Sequence, residues 1–109
     1  MAYDEELARR IRTVLPRHQG ITEKKMFGGI SFMLGGNMCC GVMGNDLVVR
    51  VGPERHEEAL AKPHARPMDF TGRPLRGLVY VGPGAHQAGD TLREWVKRGV
   101  DFAESLPPK

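Results

Sequence analysis

The chain lacks most of the residues on which small catalytic or stapled domains are built. Its two cysteines, Cys39 and Cys40, are adjacent. Neighbours in sequence rarely bridge each other, because the ring would strain the peptide between them. No disulfide framework exists, which fits a reducing compartment. There are only two serines, Ser31 and Ser105, and neither stands in a GxSxG elbow. The histidines His18, His56, His64 and His86 are scattered. Cys39-Cys40 lacks CxxC spacing, and His56-Glu57-Glu58-Ala59-Leu60 begins like HExxH without its second histidine. No catalytic residue, metal site or cofactor is expected.

Long apolar runs are also missing. None approaches the roughly 20 residues that cross a bilayer, and the acidic start Met1-Ala2-Tyr3-Asp4-Glu5-Glu6 has no signal-like apolar stretch. A cytoplasmic protein with no membrane partner is the expectation. The net charge is only +3, which permits weak attraction to nucleic acid without demanding it. Aromatic residues make up just 6%. No recognition helix, homeodomain pattern or aromatic RNA-binding motif accompanies the basic residues. The glycine pairs do not form nucleotide loops. Gly28-Gly29 and Gly35-Gly36 stand outside GxxxxGK[ST], and Gly82-Pro83-Gly84 starts like GxGxxG but meets Gln87.

What is present is one ordinary domain over residues 1–109, with enough apolar residues, at 40%, for a single core. Leu7, Ile11, Val14 and Leu15 fall on one helical face, predicting a first helix over residues 4–17 with Asp4 as its cap. Glu5 with Arg9 and Glu6 with Arg10 form i,i+4 pairs on the other face. From residue 26 to 51 apolar residues alternate. Turn signals at Gly35-Gly36 and Gly44-Asn45-Asp46 divide the segment into a three-stranded meander. Gly52-Pro53 opens a short helix that Pro63 stops. Strands follow at residues 68–70 and 75–81, and Gly82-Pro83-Gly84 leads into a polar loop. Thr91-Leu92-Arg93-Glu94 reads as a capping box for a last helix. Gly99 lies on its apolar stripe, where close packing on the sheet would explain it. The predicted fold is α+β, two layers, with an antiparallel five-stranded sheet in the chain order α-β-β-β-α-β-β-α.

The run Thr22-Glu23-Lys24-Lys25-Met26-Phe27-Gly28-Gly29-Ile30-Ser31-Phe32-Met33 resembles the N-terminal domain of the TfoX/Sxy family. So do Asn37-Met38-Cys39-Cys40-Gly41-Val42, Leu47-Val48-Val49-Arg50-Val51-Gly52-Pro53, Ala65-Arg66-Pro67-Met68-Asp69-Phe70-Thr71-Gly72-Arg73-Pro74 and Gly77-Leu78-Val79-Tyr80-Val81. The resemblance covers nearly the whole chain. It implies a two-layer α-β(3)-α-β(2)-α domain in a stand-alone, single-domain member, since the competence regulators carry a second, C-terminal domain. The named members are transcriptional co-regulators of natural competence that act beside a DNA-bound activator. No enzyme activity is established for the domain.

A non-enzymatic regulatory or protein-interaction domain is therefore expected, with a protein partner such as a transcription factor. Lys24, Lys25, Phe27, Gly28, Gly29, Arg66 and Arg73 are its candidate surface, because an aromatic residue flanked by charges has the composition of an interface anchor. Two alternatives stay open. One is direct DNA binding through Arg9, Arg12, Arg17, Arg50 and Arg55. The other is a thiol-based enzyme or sensor using Cys39 or Cys40, which on a regular strand would face opposite ways and leave one thiol exposed. Met26, Met33, Met38 and Met43 serve either as core filling or as an adaptable surface. The side bearing Ser31, Met33, Cys39, Met43, Val48 and Arg50 is less polar than a fully solvated face, which suggests a homodimer or another covered arrangement.

Overall fold

A computed structural model describes residues 3–15, 21–26, 28–70 and 73–107. The first helix, α1 (Glu5–Val14), is capped by Asp4, whose carboxylate accepts from the Leu7 amide at 3.1 Å. It ends three residues short of the expected boundary. Its salt bridge runs from Arg9 to Glu6, one turn back, while Arg10 donates to the Gln87 carbonyl.

Four strands follow rather than three: β1 (Ile21–Met26), β2 (Gly29–Leu34), β3 (Asn37–Met43) and β4 (Asp46–Arg50). A turn of 3-10 helix (Pro53–Arg55) leads into α2 (His56–Leu60). Then come β5 (Ala65–Phe70), β6 (Arg73–Val81), α3 (Pro83–His86) and α4 (Gly89–Glu104). The sheet has six antiparallel strands in the order β1-β2-β3-β4-β6-β5. The two-layer α+β architecture stands and the five-strand count is corrected. The extra strand is β1, an edge strand of mostly polar side chains whose alternation is weak. Two further corrections concern helices. Gly82-Pro83-Gly84 opens the short helix α3 instead of a loop. The capping box also fails: α4 begins at Gly89 behind Ala88, so Thr91 sits inside its first turn.

All the larger apolar helix residues face one side of the sheet. Leu7 and Ile11 of α1 and Leu92, Trp95, Val96 and Val100 of α4 join Ile30, Phe32, Val42, Leu47, Val49, Val79 and Val81 in one core. Each large side chain so buried contributes about 1.5–3 kcal/mol. The helix α4 lies across β2, β3 and β4.

That close crossing depends on a bulge. Phe32 pairs with Cys40, but Met33 pairs with Met38, so Cys39 is an extra residue in β3. The bulge breaks the strand's alternation and turns both cysteines inward. It also places the Cys39 carbonyl against α4 at Gly99, where an added Cβ would lie 2.1 Å from that oxygen. Close packing is thus the reason for the glycine in the helix stripe.

Candidate interaction surface

Among the described residues no helix lies on the outer face of the sheet, and its side chains can be read off the register. One row crosses all six strands: Lys24, Ser31, Gly41, Val48, Tyr80 and Arg66. Beside it lie the pair Met33 and Met38 on β2 and β3 and the pair Met43 and Asp46 on β3 and β4. Val48, 1% exposed, and Ser31, 6% exposed, are buried on this face although they belong to no helix-covered core. For Val48 the cover comes from its own row. Tyr80 reaches over β4 until its hydroxyl stands 3.9 Å from the Met43 sulfur. The Arg66 guanidinium lies over the Tyr80 ring at 5.3 Å and binds the Asp46 carboxylate at 2.7 Å. Arg66, Tyr80 and Met43 thus close the half of the face over β4, β5 and β6.

Among the described residues, the other half has no such lid. There Met33 and Met38 are half-buried side by side, flanked by exposed Thr22 and Lys24. The core-filling reading of the methionines fails for Met33, Met38 and Met43, because none of them joins the core cluster. Both outer strands are guarded against adding a further strand. The edge strand β1 carries exposed Lys24 and Lys25, and β5 carries Pro67, which has no amide hydrogen to donate.

The residues chosen from sequence do not form one patch. Lys24 and Lys25 are on β1 and Arg66 is on β5, at opposite edges of the sheet. Gly28 and Gly29 have local reasons. Gly28 takes a turn conformation at φ 77°. Gly29 lets β3 approach so closely that a Cβ would sit 2.3 Å from the Val42 carbonyl oxygen. Phe27 and Arg17 lie outside the described residues, and so does the side chain of Arg73, the first residue of β6.

Three of the arginines proposed for DNA, Arg9, Arg12 and Arg50, have partners on the chain. Arg9 is held by Glu6, and Arg12 grips Glu23 with two hydrogen bonds of 2.8 and 2.9 Å while lying over the Phe32 ring. The Arg12 hydrogen bonds hold the Glu23 carboxyl below its ordinary pKa. Arg50 stacks on the Phe102 ring at 5.2 Å. Arg55 is exposed on the 3-10 turn.

The expectation of one exposed thiol is overturned, since Cys39 and Cys40 are both 0% exposed. The bulge is the reason: it points both side chains into the core, with their sulfurs 3.9 Å apart. The Cys39 thiol donates to the Phe32 carbonyl, and its hydrogen bond with Cys40 brings its pKa below the ordinary value against the opposing effect of burial. The hydrogen bond with Cys39, followed by burial, pushes the Cys40 thiol well above its ordinary value. The raised value keeps Cys40 in the unreactive thiol form, and burial keeps both sulfurs away from reagents in solution.

Two histidines serve the fold. The Nδ1 of His56 accepts from the buried Gly77 amide at 2.9 Å, and Nε2 of His86 bonds the Asn45 carbonyl at 2.9 Å. His64 is exposed at φ 66°, and His18 lies outside the described residues. Among the described residues no three metal-binding side chains gather, and no helix is long and apolar enough to cross a membrane.

The sequence model of the TfoX N-terminal domain matches residues 13–103. The chain belongs to that family. No curated protein and no solved structure matches it. The matched stretch of this TfoX N-terminal domain contains all six strands and α2, α3 and nearly all of α4, together with the bulge and the half-open sheet face.

Proposed function

We propose that this TfoX N-terminal domain is a non-enzymatic regulatory module that docks another protein on the uncovered half of its outer sheet face. The finer reading is a transcriptional co-regulator of the competence type, whose partner is a DNA-bound activator. One observation supports a protein over nucleic acid. Of the arginines that would make a phosphate-binding stripe, Arg9 and Arg12 are tied to carboxylates and Arg50 to an aromatic ring, whereas Met33 and Met38 have no covering layer among the described residues. Methionine suits such a role, since its flexible thioether adapts to the surface it meets. The glycines and cysteines that caught attention in the sequence have packing roles. Neither thiol is presented to a substrate, which supports a domain that binds rather than catalyses. A second copy is a less suitable occupant, because Lys24 would recur on both halves of a face-to-face pair.

The test is site-directed photocrosslinking in cells. A photoreactive residue is placed at Met33 or Met38 and, as a control on the helix side, at exposed Lys97. Discrete heterologous protein adducts at residues 33 and 38, absent from 97, are the expected result. Adducts of equal pattern at all three positions, adducts only with a second copy, or none at all would overturn the reading.

A further inference from the structure

A groove unrelated to the sheet face lies between the end of β4 and the last turns of α4. We propose that it binds a small monoanion with an apolar body, of the aryl- or alkyl-carboxylate class. The cavity measures about 460 Å³, within the range of about 300–1,000 Å³ typical of small-ligand sites. Its apolar lining comes from Val51, Pro53, Phe102 and Leu106. The strand end is pressed close to the ring of Phe102: Gly52 stands at φ 86°, and a Cβ there would fall 2.5 Å from ring carbons. That packing fixes one aromatic wall, and the Arg50 guanidinium stacks on the same ring.

The polar lining points to an anion. Arg98 also lines the cavity, with a side chain only 16% exposed. It lies over the Trp95 ring at 5.6 Å and gives one hydrogen bond, of 3.2 Å, to Glu58. Its Nε hydrogen is buried with no acceptor among the described residues. A guanidinium offers five donors in a planar fork, and one of this one's is given to Glu58. Because Arg98 lines the groove, its remaining terminal N–H donors are available to an acceptor placed there. A carboxylate matches the fork geometry. Arg55, an exposed lining residue, adds a second cation.

The remaining charges select the class. Glu54 and Asp101 also line the groove, and Asp101 is tied to Lys97 at 2.9 Å. Two carboxylates beside the site would repel a phosphate dianion more than a single carboxylate. The apolar lining would leave much of an inorganic anion without partners, whereas a phenyl or alkyl body fills it.

The single tryptophan, Trp95, stacks against Arg98 and supplies the signal. The intact chain is titrated at constant ionic strength with 3-phenylpropionate, 3-phenylpropanol, 3-phenylpropylamine and inorganic phosphate, following Trp95 fluorescence. Saturable binding of the carboxylate alone is expected. Arg55→Gln should weaken it about tenfold, the loss of one charge-assisted contact, with the thermal midpoint of the unliganded protein unchanged. Arg98→Met should abolish it. Should Arg98→Met fail to fold, Arg55→Gln and Leu106→Asp carry the test. Equal responses to the alcohol or amine, a response to phosphate alone, no saturable response, or full binding retained in Arg55→Gln and Leu106→Asp would each overturn the proposal.

Discussion

At the scale of single residues, the positions that looked functional are explained by close approach. Gly99 was legible as a packing residue, because a glycine on the apolar stripe of a helix needs a reason to offset its propensity cost. Its partner was not legible, because the bulge at Cys39 has no signature in the alternation of β3. The same bulge explains why the expected exposed thiol is absent. The consequence can be tested on two glycines of α4. Gly99→Ala adds a methyl group 2.1 Å from the Cys39 carbonyl oxygen. A backbone atom cannot rotate away, so the helix must shift. The expected loss, about 3 kcal/mol in urea unfolding, is at the upper end for overpacked cores and outweighs the gain of about 1 kcal/mol in helix propensity. Gly89→Ala meets nothing within 4 Å and should be neutral or slightly stabilising. Equal effects at the two positions would contradict the tight helix–sheet contact.

At the scale of elements, strongly alternating segments were legible and polar ones were not. Strands β2, β3 and β4 announce themselves through Ile30-Phe32-Leu34, Cys40-Val42 and Leu47-Val49, which point to the core. The strand β1 has Ile21, Glu23 and Lys25 on the corresponding side, and its polar residues hid it. What joins it to the helix layer is the Arg12–Glu23 pair, which connects α1 to β1 across two elements. The pair is partly exposed, so its contribution is small, about 0.5 kcal/mol. The sign of its pH dependence follows from the lowered Glu23 pKa. A carboxylate with a depressed pKa stabilises the fold fully above its unfolded value, near 4.3, and loses that contribution as pH falls through the folded value. Glu23→Gln should therefore be slightly less stable than wild type at pH 7. The gap should close as the pH is lowered through and below 4, as measured by urea unfolding at each pH. A gap that persists in strong acid would mean that the pair stabilises through packing alone.

At the scale of the whole molecule, the two-layer plan was legible because helix stripes and strand alternation demand a shared core. The division of the outer face was not. It arises from side chains on three strands, Arg66, Tyr80 and Met43, that meet only after the sheet has formed. The proposed docking half depends on that division, and adjacent residues on β2 test it. Phe32 and Met33 are neighbours in sequence but point to opposite faces. Phe32 is wholly buried under α1 and α4 and is stacked by Arg12. Phe32→Ala should cost about 3–5 kcal/mol, as truncations of buried aromatics do. Met33 is only half-buried and has no helix above it. Met33→Lys should change stability by less than about 0.5–1 kcal/mol, the ordinary range for surface positions, because a lysine stem can lie along the sheet with its ammonium in water. If this half of the face is instead part of a tight homodimer, Met33→Lys would bury a charge. It would then lower the thermal midpoint sharply and halve the sedimenting mass. A small shift with unchanged mass is the outcome expected of a free face, and it would leave Met33→Lys as a folded variant in which loss of partner binding can be attributed to the surface itself.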